Sequence, residues 1–254
     1  MTRNPPTSNQ MMTTPSNQSP IPAALDHCAA CGCRLTGAYY TLLDSDERYC
    51  PQCIDTRPRC DSCGAPLGPH YWQLHDGRLQ CLRCHRTAVY DPELAKTLFD
   101  ETVAGVVTQL SLTLNVGVEF RLVDAPALQS VRSQDMRHTL AGYERILGLY
   151  QRQGRLRVIY MLYGLPRLLF RATVAHEYAH AWQGEQCPLL SDDHLREGFA
   201  EWVAYRHLLW LGCMKAAQRM LTGSHPYLPA LRYVLELEQQ MSIPGVIAYI
   251  RKAE

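Results

Sequence analysis

Residues 174–182 read Val174-Ala175-His176-Glu177-Tyr178-Ala179-His180-Ala181-Trp182, and this stretch decides how the carboxy-terminal half is read. The flanking pattern predicts a helix from about Leu168 to Gln183, following a strand that Gly164 and Pro166 end. On a helix, positions i and i+4 share a face, so His176 and His180 can reach one metal ion. Glu177 then sits beside them, placed to handle a proton on a water at that metal. A zinc held by two histidines needs a third protein ligand and an open fourth position. The segment Arg196-Glu197-Gly198-Phe199-Ala200-Glu201-Trp202 offers candidates, with Glu197 and Glu201 again at i and i+4. His194 competes for the same place. The plain alternative is a pair of solvated helix faces, with these side chains in salt bridges to Arg171 or Arg196.

The surrounding pattern alternates elements. Asp91-Pro92 makes a helix start, and Leu94, Leu98, Val106 and Leu110 give an apolar face running to about residue 113. Val116–Val123 alternates as a strand. Leu156–Tyr163 is a second apolar run, with a turn signal at Gln153-Gly154 and a hairpin partner expected at Tyr143–Tyr150. A helix is expected from about Asp192 to Leu211, ended by Gly212. The last fifty residues predict two or three further helices, broken at Pro226, Pro229 and Pro244. Residues 88–254 therefore read as an α+β domain, a small antiparallel sheet followed by a helical half.

Ahead of it, residues 26–87 carry most of the eleven cysteines. Eight form four C-x-x-C pairs: Cys28/Cys31, Cys50/Cys53, Cys60/Cys63 and Cys81/Cys84. Each pair can supply two thiolates to a tetrahedral zinc, and the loops of 18 and 17 residues between pairs suit structural zinc modules. Sequential pairing places Cys28, Cys31, Cys50 and Cys53 on one zinc and Cys60, Cys63, Cys81 and Cys84 on another. A cross-braced pairing is the alternative. This order resembles a LIM domain, departing from it in having Cys50 where a histidine is usual and a six-residue link where two residues are usual. Cys33, Cys187 and Cys213 read as small core or surface residues, and His27, His70, His75 and His85 as bystanders.

Composition excludes several function classes. Lys+Arg 25 against Asp+Glu 24 in 254 residues gives no global basic field. The finger segment has seven arginines, no lysine and seven acids between residues 26 and 90, a poor phosphate-binding balance, so a protein partner is expected there and not a nucleic acid. No run is long and apolar enough for a membrane span, and the amino-terminus has no secretory h-region, so a cytoplasmic protein is expected. Residues 1–25, rich in Pro, Thr, Ser, Asn and Gln, read as a disordered tail.

The E-G-F-A-E arrangement at Glu197–Glu201 resembles the gluzincin class of zinc peptidases, and that likeness implies a zincin-like fold. It makes Glu197 the third zinc ligand, with Glu201 accepting from the free N–H of a ligand histidine. A closer resemblance rests on Tyr163-Gly164-Leu165-Pro166-Arg167-Leu168-Leu169, Ala175-His176-Glu177, His180-Ala181-Trp182 and Glu197-Gly198. These motifs resemble the LIM-domain zinc peptidases best known as ubiquitin-activated regulators of plant organ size. The resemblance covers roughly residues 90–254, and it implies endopeptidase activity on regulatory proteins. Plant members carry acidic ubiquitin-interacting helices, nothing here resembles one, and ubiquitin activation is not carried over.

The expected function is thus a zinc-dependent endopeptidase with one catalytic and two structural zincs. Glu177 serves as general base and acid, and Tyr227 is the candidate oxyanion donor, with His225 and Tyr205 competing. The edge of the Leu156–Tyr163 strand is expected to hold an extended substrate. The alternative is an inert adaptor whose fingers dock a partner, and a third reading has the fingers cover the cleft until a partner displaces them.

Overall fold

The computed structural model describes residues 26–42, 46–134, 146–222 and 225–253; the tail expected at 1–25 lies outside them. Two small modules open the described chain. The first holds strands β1 (Tyr40–Thr41) and β2 (Arg48–Tyr49) and helix α1 (Pro51–Thr56); the second holds β3 (Tyr71–Gln73), β4 (Leu79–Cys81) and α2 (Leu82–Arg86). Each repeats one plan: a C-x-x-C knuckle, a hairpin, then a second C-x-x-C entering a short helix. Their small shared core consists largely of the cysteines, with Ala30, Tyr49, Ala65 and Leu67.

The remainder follows as β5 (Ala88–Val89), α3 (Pro92–Leu110), β6 (Glu119–Val123), α4 (Ala125–Gln134), β7 (Gly148–Gln153), β8 (Leu156–Leu162), β9 (Leu165–Pro166), α5 (Arg167–Gln186), α6 (Asp193–Trp210), α7 (Met214–Thr222) and α8 (Leu228–Lys252). The architecture is α+β, with several small sheets and more helix than strand. Local chemistry sets the helix starts. Asp91 accepts from the Leu94 N–H at 2.8 Å with Pro92 behind it, and Asp192 accepts from the N–H groups of His194 and Leu195.

The three-stranded sheet has the order β6-β8-β7 and is mixed, not antiparallel as expected. β6 runs parallel to β8, from Glu119 opposite Val158 to Val123 opposite Leu162, because the chain leaves β6 into helix α4, and parallel neighbours need such a crossover. Nothing in the period of the 125–134 segment announced that helix. The hairpin exists, but its first strand is Gly148–Gln153, paired through Gln153 and Leu156 across a two-residue turn at Gly154 and Arg155. Of the expected Tyr143–Tyr150 strand, 143–145 lie outside the described residues. β8 is central, so both its edges are paired, which corrects the expected substrate edge; the outer strands are β6 and β7, and of these β7 lines the cleft described below.

The prolines of the last fifty residues act differently from one another. Pro226 lies in the turn before α8 and Pro229 in its first turn, where a missing N–H costs nothing. The break falls at Ser242, whose φ of 66° is non-helical, with Pro244 just beyond.

Helix α6 packs against both α5 and α8. Trp182, Phe199 and Trp202 are fully buried between them with ring centroids 5.5 Å apart, and truncating any one costs about 3–5 kcal/mol. The Tyr178 hydroxyl, between the two histidines in sequence, donates to the Leu112 carbonyl at 2.9 Å. The second finger module is sewn to this core. β5 pairs with β9, the Arg167 N–H at the start of α5 donates to the Thr87 carbonyl, and buried Gln80 and Arg78 donate to the carbonyls of Gly164 and Tyr163 at 2.5 and 2.7 Å. Gly164 has φ +71° and lies against Leu74 and Tyr90, so a side chain there meets both strain and contact. His75 and His85 take part as well: His75 stacks on Tyr163, and His85 stacks on Trp72 and meets the Tyr90 hydroxyl at 2.6 Å. Among the described residues, no helix is long and apolar enough to cross a membrane.

Candidate metal centres

None of the eleven cysteines is disulfide-bonded. Cys28, Cys31, Cys50 and Cys53 form one cluster and Cys60, Cys63, Cys81 and Cys84 another, each with its four sulfurs within 4.8 Å of one another. The sequential grouping is the one the structure brings together. The finger hairpins aim backbone N–H groups at the sulfurs: Cys50 N–H at Cys28 Sγ (3.3 Å) and Cys81 N–H at Cys60 Sγ (3.4 Å). Burial works against a Cys28 thiolate, but the N–H groups of Cys50, Cys31 and Ala30 hold its pKa down at about 6. Such sulfurs suit zinc, which binds thiolate and not thiol. Cys33 is exposed, Cys213 half-buried, and Cys187 buried with its thiol pushed up to about 11 by that burial.

A third cluster lies where α5 crosses α6. His176 Nε2 and His180 Nε2 are 3.0 Å apart, and Glu197 Oε2 lies 3.5 and 3.4 Å from them. The far side of each imidazole faces an acceptor. His176 Nδ1 is 3.4 Å from Glu201 Oε1, and His180 Nδ1 is 3.0 Å from Gln183 Oε1. The Gln183 amide is oriented by its Nε2 donating to the Arg196 carbonyl at 2.9 Å. With Nδ1–H on both rings, two Nε2 lone pairs and a carboxylate oxygen converge on one point. That arrangement is repulsive unless a proton or a metal ion sits among them, and the donor types fit a metal such as zinc. Burial disfavours a charged His176, yet Glu197 and Glu201 draw its pKa well above the ordinary value. Burial likewise opposes a charged Glu197, and the two imidazoles hold its carboxyl far below the usual range.

Glu177 is buried beside the cluster, with Oε2 accepting the Tyr150 N–H of β7 at 2.8 Å. His194 is exposed and packs near Tyr233 instead of joining the cluster. Tyr227 and His225 line the cleft that holds the cluster, whereas Tyr205 packs against the core. The bland pairing is partly present: Arg196 bridges Asp193 at 2.9 Å and reaches Glu197 Oε1 at 3.4 Å, while Arg171 pairs with Glu101. Gln183 was missed in the sequence, although its place three residues after His180 on the same helix was the signal.

The cluster forms part of the wall of a cleft of about 830 Å³. One side comes from α5 and α6, another from β7, and a third from the second finger through Ser62, Cys63, Arg83, Cys84 and Thr87. A smaller hollow of about 240 Å³, lined by Tyr150, Arg152, Gly184 and Leu190, meets it at Glu177, His180 and Arg196.

These features define a class: a double cysteine-cluster finger module joined to an α+β domain with a His–His–Glu centre in a cleft. Residues 118–227 match the family model described as DA1-like (Protein DA1), a span that includes β7, the cluster and Tyr227. The chain is 28% identical to Protein DA1 of Arabidopsis thaliana over 67% of this chain and 38% of that protein. It is 27% identical to Protein DA1-related 6 of the same plant, over 73% of this chain and 33% of the relative. To the LIM domain-containing protein HDR3 of Oryza sativa subsp. japonica it is 25% identical, over 65% and 39%. The chain thus spans less than two fifths of the length of these relatives. No solved structure matches it.

Proposed function

We propose that the chain is a zinc-dependent endopeptidase. The observation that carries this reading is the convergence of His176, His180 and Glu197 in an open cleft with Glu177 beside them. Zinc bound there would supply Lewis acidity, polarising a peptide carbonyl and bringing the pKa of water toward ~7. Glu177 takes a proton from the attacking water at its carboxylate and delivers it to the leaving amide nitrogen. Its Oε2, fixed on the Tyr150 N–H, keeps the carboxylate in place for both transfers. Glu201 and Gln183 hold the imidazoles with Nε2 inward. Tyr227 is the candidate donor to the developing oxyanion. β7, the outer strand that lines the cleft, offers backbone groups to an extended peptide, and the substrates proposed are proteins. Two further zincs in the cysteine clusters are proposed as structural. A reducing, cytoplasmic setting would keep these thiols available to them.

Native mass spectrometry of the intact chain tests the metal assignment: three zincs, falling to two in Glu197→Ala, are expected. Glu177→Gln should keep three zincs and lose about 10²–10⁴-fold in the rate of producing new protein amino-termini in a cell extract. Wild type and Glu177→Gln yielding the same amino-termini at the same rate would leave the inert adaptor in place of the peptidase.

A further inference from the structure

Strand β7 carries a glycine that its own backbone does not require. Gly148 pairs opposite Met161 in the hairpin and, unlike Gly154 and Gly164, has no positive φ. A glycine inside a strand weakens it and marks a place where something comes close to the backbone. Here that neighbour is the proposed general base. A Cβ built on Gly148 would lie 2.9 Å from Glu177 Cγ, 2.8 Å from Thr173 Cγ2 and 3.1 Å from Met161 Sδ. Thr173 and Glu177 are i and i+4 on α5, so one helix face brings both against β7. Both are buried, and neither is free to step aside. Thr173 is β-branched, with its hydroxyl donating to the Leu169 carbonyl at 2.9 Å. Glu177 is held at its far end, where Oε2 accepts the Tyr150 N–H. Strand alternation presents that N–H. The Leu147 carbonyl takes the Leu162 N–H, so Leu149 and Gln151 face β8 and the Tyr150 N–H faces α5.

From this, resting on the peptidase reading, we infer that Gly148 is a positioning residue for the reaction: its missing side chain is the notch that seats the stem of Glu177. Notch and N–H lie two residues apart on one strand, so β7 sets both ends of the side chain, Cγ against Gly148 and Oε2 on Tyr150. A methyl at position 148 pushes the stem away, and the carboxylate leaves the Tyr150 N–H. A displacement of about 1 Å in a group that must transfer a proton costs on the order of 10²-fold in rate. None of the three atoms nearest that Cβ belongs to His176, His180 or Glu197. The metal ligands therefore keep their places while the base loses its own, and the notch governs turnover instead of zinc retention.

Two measurements test this, the first without turnover. In the zinc-loaded full chain, hydrogen exchange at the Tyr150 amide, followed by NMR, should be slow in wild type and at least ~10-fold faster in Gly148→Ala and in Glu177→Ala. The Leu149 and Gln151 amides, which face β8, should stay protected. Gly148→Ala combined with Thr173→Ser removes the Cγ2 methyl and one of the clashes. That double variant should regain the melting temperature lost by Gly148→Ala but keep fast exchange at Tyr150, because Glu177 Cγ still meets the new methyl. Slow exchange at Tyr150 in the double variant, or equally fast exchange at all three amides, would overturn the notch. The second measurement is kinetic, with unfolded casein as substrate. Gly148→Ala should keep three zincs by native mass spectrometry and lose about 10–100-fold in kcat, with KM changed less than ~3-fold. In Glu177→Gln the same substitution should change the residual rate less than ~2-fold, since the group it positions is gone. Loss of the third zinc, or an equal fold-loss in both backgrounds, would overturn positioning through Glu177. If wild type releases no new amino-termini from casein or from a cell extract, the peptidase reading falls, and the exchange result alone decides whether Gly148 seats Glu177.

Discussion

In each finger, four donors come from two C-x-x-C knuckles joined by a hairpin, and the sulfurs are set by backbone N–H groups a few ångströms away. In the cleft, three donors come from two long helices, and the imidazoles are set by side chains, Glu201 and Gln183, that other parts of the core must hold. Four donors close a tetrahedral site and three leave it open. On the zinc reading proposed above, the difference is between a metal that would substitute for a hydrophobic core and one that would depend on a core already built. Fewer than seventy residues with little apolar volume need the first kind; the α5–α6–α8 packing supports the second.

The largest break in that comparison should come from the fingers. Zinc binding to thiolate sites of this kind contributes about 10–16 kcal/mol that is also folding energy. Chelation or Cys84→Ser should therefore unfold the second module, read as new sites of limited proteolysis between residues 58 and 87. Through Arg78, Gln80 and the Thr87 cap on α5, the melting temperature of the remaining domain should drop too. An unchanged melt would show that the buttress is dispensable, and would favour fingers that merely cover the cleft.

Next comes Gly198, beside Glu197 in the chain. A Cβ there would lie 2.5 Å from the Ala230 carbonyl oxygen, a backbone atom that cannot swing away. Gly198→Ala should cost about 1–3 kcal/mol by denaturant unfolding and displace Glu197, lowering zinc retention in the cleft while the cysteine clusters stay loaded. Smaller still, Glu201→Gln and Gln183→Leu should each weaken zinc in the third cluster by about 10–100-fold, measured by competition with a chromophoric chelator. Neither should touch the finger zincs.

The last prediction concerns a histidine outside the three clusters and shows only at low pH. His207 is fully buried on α6, with Nδ1 3.3 Å from Gln109 Nε2; burial first, and then the charge of Arg171, push its pKa down to about 4. The unfolded chain binds that proton near pH ~6.5 and the folded chain only near 4, so this contribution is complete above about 6.5. It is lost as pH falls from about 6.5 toward 4, at up to about 1.4 kcal/mol per pH unit. His207→Gln should flatten the stability profile in that window. An unchanged slope would mean that His207 is not kept neutral.

Much of this was legible in the sequence because it is local. Two histidines four residues apart share a helix face whatever surrounds them, and Cys-x-x-Cys at the observed spacings forms a knuckle within a few residues. Asp91-Pro92 and Asp192 mark helix starts by hydrogen bonds that span two or three residues. The sheet was misread because pairing direction and edge position are set by where the chain returns, not by alternation within a strand. β6, parallel to β8 through the unannounced α4, is the example, and with it the proposed substrate edge moves to β7. Gly148 was equally hidden, since it lies on a different element from Glu177 and shares no motif with it.

By itself, then, the sequence determined that the paired cysteines and the two histidines could each present donors side by side, since spacing on a helix or knuckle is a short-range geometric fact, and it left the grouping of the cysteine pairs open. Only the tertiary structure decided that Glu197 meets His176 and His180, that Gln183 and Glu201 orient them, and that the second finger walls the cleft. Those contacts depend on how α5 packs on α6 and how α2 meets β9. Packing is the sum of many weak apolar contacts across the chain, which no single segment encodes.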